Sequence, residues 1–372
     1  MITKRRLALL STLATTPVFA APFLAIGDNA ELFLTARAEA RYEDNVTLSS
    51  DDEVEDEIFE FAPGVEVVFG KNSLTRGTIS FYERFVAYSE STDLNEELAN
   101  FLFKSTYEGA KLKLDTNLSF NEYYQNTRDT AGTSTLVRFD EYAAGVGGEL
   151  TVTEKSKIGA GLKYGATDYK TGGFDDRETY TVPANYYFAI RPKLDLSTGI
   201  QYRQTDLDIG ADSEDYYFNV GARGEFTPKL IGTFTVGYTL RDTDAAGVDD
   251  ESLVGLDAGL SYLYSEKTQF TLNMSNDFGT SSQGGGQEVA SINLGVRSQI
   301  AADWSARASV GYQEIDYINT TRTDEYMTGL LGLTYVVNQA ISLDAYYSYA
   351  DNDSDFSDFT ANTLSVSANF RY

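Results

Sequence analysis

Carboxylates are the one ionisable group this chain holds in excess, with 56 Asp and Glu against 29 Lys and Arg, no histidine and no cysteine. Without a histidine base, Ser–His–Asp and Cys–His nucleophile systems are excluded. Hydrolases and acyltransferases embedded in outer membranes fail on the same ground. Two carboxylates suffice for glycoside hydrolysis, but here they crowd into acidic loop segments that imply no rigid pocket, so no enzymatic activity and no cofactor is expected. Asp351, Asp353, Asp355 and Asp358 are spaced somewhat like the oxygen ligands of a calcium loop, yet the segment lacks the glycine and terminal glutamate of an EF-hand. Together with Asp51, Asp52, Glu53, Glu55, Asp56 and Glu57, they are expected to form a solvated rim that draws divalent cations loosely and repels anions. The formal net charge of −27 speaks against nucleic acid as a partner.

The start of the chain has the layout of an export signal. Lys4, Arg5 and Arg6 precede an apolar run from Leu7 to Thr16, and Val18-Phe19-Ala20 offers a cleavage site. Residues 1–20 are therefore expected to be a signal peptide and 21–372 a single domain. Cleavage removes three cations and no acids, moving the net charge from −27 to −30.

Beyond that segment no run approaches the roughly 20 apolar residues of a membrane-crossing helix. Short polar turns instead recur near Asn72, Gly109, Lys155, Pro192, Pro228, Glu266, Ala302 and Gln339, at gaps of 37, 46, 37, 36, 38, 36 and 37 residues. Longer Asp/Gly/Asn/Ser/Thr-rich segments lie between them, such as Thr167 to Glu178, Asp242 to Glu251, Asn276 to Gln287 and Ala350 to Ala361. The flanking segments alternate with period two. Trp304, Ala306, Ala308, Val310 and Tyr312 share one face, and Ser305, Arg307, Ser309 and Gln313 the other. The repeat predicts strands of about 10 to 13 residues joined alternately by short periplasmic turns and long outer loops. Tyrosines near strand ends, such as Tyr42, Tyr124, Tyr164, Tyr202, Tyr238 and Tyr312, suit the membrane–water boundary.

The expected fold is all-β, an antiparallel up-and-down transmembrane barrel of 18 strands, with 16 as the alternative count. The weakest stretch lies between Asn72 and Tyr107, where Phe81 to Val86 alternates poorly. Eighteen strands close into a ring about 36 Å across, too wide for side chains alone to fill. The longest loop, about Asn126 to Arg138, is expected to narrow this lumen without closing it. The inward phase carries twelve basic and eleven acidic positions. Its pore-lining candidates are Arg37, Glu39, Arg41, Asp195, Arg203, Arg223, Glu225, Asp257, Arg297, Arg307 and Asp344. On a pore wall such charges set ion preference and orient polar solutes, though most are expected to pair and brace neighbouring strands. The acid excess is assigned to the outer loops.

The last strand alternates to the chain end through Leu364, Val366, Ala368, Phe370 and Tyr372. It resembles the C-terminal signal of outer-membrane barrels, and the resemblance implies recognition of Phe370 and Tyr372 by the barrel-assembly machinery. The segment Arg41-Tyr42-Glu43-Asp44-Asn45-Val46 resembles the entry motif of an outer-membrane β-barrel family, the type 2 β-barrel porins, which the whole chain also matches in length and hairpin rhythm. The resemblance implies a channel in the bacterial outer membrane, in contact with its lipid and lipopolysaccharide. Some relatives are associated with exopolysaccharide synthesis and export. The leading expectation is passive passage of small polar solutes or ions. A polysaccharide export conduit is the second reading, and a structural or adhesive surface barrel the third.

Overall fold

The computed structural model describes residues 21–133, 135–245, 250–354 and 356–372. The expected signal segment 1–20 and Asp355 lie outside the described residues. The strands are β1 (Leu24–Ile26), β2 (Ala30–Glu43), β3 (Asp56–Phe69), β4 (Thr75–Tyr88), β5 (Glu96–Glu108), β6 (Leu112–Tyr124), β7 (Arg138–Thr151), β8 (Ser156–Tyr169), β9 (Arg177–Arg191), β10 (Leu194–Leu207), β11 (Ser213–Thr227), β12 (Leu230–Thr243), β13 (Glu251–Leu263), β14 (Thr268–Thr280), β15 (Gly286–Gln299), β16 (Trp304–Tyr317), β17 (Thr323–Val336), β18 (Ile341–Asp353) and β19 (Phe359–Arg371). Each of β2–β19 pairs antiparallel with the next. β19 returns to β2 from Thr363↔Glu43 to Arg371↔Thr35, closing an 18-stranded barrel with no free edge. β1 extends the seam, laying Leu24 and Ile26 against Leu32 and Ala30 just below the chain end.

Every expected turn falls between two strands, and six of the eight carry a lysine: Lys71, Lys111, Lys155, Lys193, Lys229 and Lys267. By the rule that outer-membrane barrels turn tightly on the periplasmic side, this is the periplasmic end. The turn after β3 depends on Gly70, which holds φ +80°, and a Cβ there would lie 1.9 Å from the Thr75 carbonyl oxygen. Gly70→Ala is expected to cost about 1–3 kcal/mol through left-handed strain and this clash. A lowered midpoint in the heat-dependent gel shift would report it.

The strands run longer than expected, 13 to 15 residues for β2–β19. The loops shrink accordingly, to 170–176, 244–250, 281–285 and 354–358. Hydrophobicity stops at the membrane boundary, but the ladder continues above it through Asp, Thr and Asn positions that still alternate.

Outward positions are apolar and open to lipid, as at Val254, 61% exposed. Rings mark the boundaries, as where Trp304 stacks on Tyr335 at 4.7 Å near the periplasmic end. The poor alternation of β4 also has a cause. Phe81 and Phe85 face lipid, while Val86 and Tyr88 turn inward to join Val46, Ile58, Leu94, Leu98 and Leu136 in an apolar cluster inside the barrel. That cluster is the floor on which the loop spanning 125–137 rests.

Candidate functional site

The lumen wall is braced by ladders of opposite charge. On β2–β4, Arg37 meets Glu39 at 3.1 Å, Arg41 meets Glu43 at 2.7 Å and Glu60 at 3.4 Å, and Arg84 reaches Glu60 at 2.9 Å. Lower down, Arg371 pairs with Glu66 at 2.8 Å and lies over the Phe33 ring. Arg84 was missed because it sits in the stretch of β4 where both faces are apolar.

A second ladder crosses β7–β12. Asp195 receives Lys157 at 2.9 Å and Arg223 at 3.1 Å; Arg223 also binds Glu149 at 2.7 Å and stacks on Tyr187. Higher up, Arg203 and Arg241 enclose Asp215, with Arg241 Nε 2.7 Å from its Oδ1, and all three are buried. Arg203 also grips Asp277 at 3.0 Å. Asp215 was legible in principle, since it continues the polar phase of Asn219 and Arg223 towards the strand start.

The remaining candidates scatter. Asp344 accepts from Thr334 and Asn369 and lies 3.6 Å from Arg307. Asp257 faces the lumen within electrostatic reach of Lys163. Glu225 is displaced to the periplasmic rim, where it is 38% exposed and tied to Lys193 at 2.6 Å. Arg297 lies directly across from Arg307 and, among the described residues, makes no ion pair.

At the outer mouth the long loop folds inward. A capping box on the turn Arg128–Thr130 shapes it. Asn126 donates to Thr47 O at 2.7 Å, Gly132 N to Leu48 O at 3.1 Å, and Ser282 Oγ to Asp129 O at 2.5 Å. Arg128 pairs with Asp129 inside this layer. Burial pulls its pKa down, but the charge and hydrogen bond of Asp129, with Asp324 beyond it, outweigh that and hold the pKa above its ordinary value, so the guanidinium stays charged.

The β14 tip also bends in. Its ladder with β13 ends at Leu256↔Asn276. Beyond that point three arginines from β9, β10 and β12 bind successive carbonyls: Arg203 that of Phe278 at 3.2 Å, Arg241 that of Gly279 at 2.9 Å, and Arg177 that of Thr280 at 2.7 Å. These contacts supply donors on a strand whose β13 side, among the described residues, is unpaired beyond Asn276.

Two open volumes within the barrel, about 1780 Å³ and 1420 Å³, share Arg41, Arg84, Lys104 and Tyr123 in their linings. The arrangement narrows a wet lumen and lines it with fixed dipoles.

The acid excess is placed differently from expectation. Much of it sits on the outward face of the strand ends, where carboxylates stand opposite each other across strands: Glu122↔Asp140, Glu178↔Asp206, Glu214↔Asp242, Glu314↔Glu325 and Glu325↔Asp353. Girdle tyrosines donate to this collar, Tyr180 to Glu178 at 2.8 Å and Tyr216 to Glu214 at 2.6 Å. Asp351 and Asp353 belong to the end of β18, not to a loop. Among the described residues no group of three or more acids is arranged to hold a metal ion.

The sequence matches the family described as "Putative beta-barrel porin 2" over residues 32–372. No curated protein matches it. Among solved structures, the fold is similar to that of the FrpB iron transporter of Neisseria meningitidis in its apoprotein form, at 10% identity and TM-score 0.52, over 88% of this chain and 62% of that one. OccAB4 of Acinetobacter baumannii gives 12% identity and TM-score 0.49 over 96% and 100% of the two chains. OprD of Pseudomonas aeruginosa gives 14% and 0.47 over 96% and 97%. At such identities the likeness is one of fold.

Proposed function

This chain belongs to the "Putative beta-barrel porin 2" family, a porin of the bacterial outer membrane for passive passage of small solutes, and we propose that its permeation path runs along the open side of the lumen, past the inturned loop 125–137. Two open volumes within the barrel that share Arg41, Arg84 and Lys104 in their walls carry this reading. The paired ladders keep the wall wet and close to neutral, so discrimination is by size and dipole more than by charge. The precursor is read as losing residues 1–20 on export. Phe370 and Tyr372, on the closing strand, serve the assembly machinery. The outer collar faces lipopolysaccharide, with divalent cations relieving repulsion between opposed carboxylates.

Purified protein in planar bilayers is expected to give stable open steps, and a persistently closed barrel would overturn the proposal. Charge preference has its own test. Because Arg297 makes no ion pair among the described residues, Arg297→Glu changes the wall charge by two units, and the reversal potential across a salt gradient is expected to move towards cation preference. No movement would place Arg297 off the path.

A further inference from the structure

Between its charged ends, the wall formed by β14–β16 is neutral. Asn273 lies opposite Asn293, Ser275 opposite Ser291 and Thr271 opposite Gly295. On the next strand, Ser291 meets Gln313 and Gly295 meets Ser309. These residues make a contiguous lumen-facing field of amides and hydroxyls, bordered by Asp257, which lies opposite Ser275.

Above this field, on β11, β14 and β15, three buried polar atoms lack a hydrogen-bond partner among the described residues: Tyr217 Oη, Asn276 Oδ1 and Gln287 Nε2. Tyr217 is 8% exposed and Gln287 2%, and all three residues line the same cavity together with the Phe278 ring. Buried polar groups are nearly always satisfied, and these are an amide donor, an amide acceptor and a hydroxyl that does both. An apolar solute would leave them unpaired. At these three atoms an ion would give up hydration with little opposite charge to replace it, since Arg203 and Asp277 pair with each other and Arg297 lies at the charged lower end of the wall.

We propose that this wall is a binding subsite for neutral polyhydroxylated solutes of the sugar class, whose hydroxyls supply donors and acceptors together. The proposal rests on the reading of the lumen as the solute path.

The test is equilibrium dialysis of folded barrel, in a detergent without a sugar headgroup, against labelled maltotriose, with labelled glucuronate as the charged comparison. Saturable binding of maltotriose, weaker for glucuronate, is expected. Tyr217→Phe with Gln287→Leu removes two hydrogen-bonding groups and is expected to weaken binding roughly tenfold or more. Asn273→Leu, in the open field, gives a second reading if the double variant fails to show the compact unheated band of a folded barrel. Maltotriose should also lower the ionic current saturably in planar bilayers. Absence of saturable binding, or affinity untouched in the folded variants, overturns the subsite. Open ionic steps without saturable binding would sink the subsite alone, whereas saturable dialysis binding by a barrel that never conducts would sink the passage reading alone.

Discussion

Replacing Asp215 with alanine is expected to cost the barrel about 3–5 kcal/mol, the usual result of stripping the counter-charge from buried ions. Asp215 stands between Arg203 and Arg241, and its side chain is 2% exposed. Without it two guanidiniums stand on either side of β11 with Asp277, at the lumen surface, left to offset them among the described residues. The same arginines hold the carbonyls of Phe278 and Gly279, so the loss should release the inturned tip of β14 as well. Urea unfolding from lipid vesicles, followed by the mobility of unheated protein, gives the stability. Asp215→Asn, which keeps an acceptor, should cost less. A loss under about 1 kcal/mol for the alanine variant would mean that water screens the trio as it screens surface pairs.

The second large effect concerns passage. Replacing residues 128–136 by a short Gly-Ser linker is expected to raise single-channel conductance severalfold, because it removes the described residues, 128–133 and 135–136, that fold in at the mouth. The interlock that would be lost is specific: Gly132 with Leu48, Asp129 with Ser282, and Leu136 on the apolar cluster beside Val86 and Leu98. Asn126 remains at the hinge and Arg138 still meets Glu96 at 2.7 Å, so the hairpin should close. Unchanged conductance would locate the narrowest point elsewhere, most directly at the β14 tip.

Architecture was legible because a barrel writes its period into the chain. Turns at near-constant spacing marked the hairpins, and Arg37, Glu39 and Arg41 could be phased inward from β2 alone, since each alternates with an alanine or tyrosine. What stayed hidden depends on registers and on contacts across the lumen. Arg84 was obscured because Tyr82, Val86 and Tyr88 make both faces of β4 apolar, and their reason, an apolar cluster under an inturned loop, joins residues from Val46 to Leu136. The hold of Arg177, Arg203 and Arg241 on β14 joins residues 38 to 103 positions apart. No local pattern encodes it, because the acceptors are backbone carbonyls, which every residue carries. Placing the acid excess in loops treated the end of hydrophobicity as the end of the strand, and the opposed carboxylates of the rim required the pairing register itself.

The lysine-bearing turns at one end and the doubled carboxylates at the other give the barrel an electric polarity along its pore axis. Ionised side chains pay heavily to enter hydrocarbon. A hairpin crossing from the periplasmic side therefore carries its acidic tip through the bilayer once, while its lysine turn never has to follow. Afterwards, going back would mean dragging the whole collar of Glu178, Glu214, Glu325 and their opposed partners through lipid. Insertion is thus expected to be made one-way by charge placement, which also keeps the barrel from turning over.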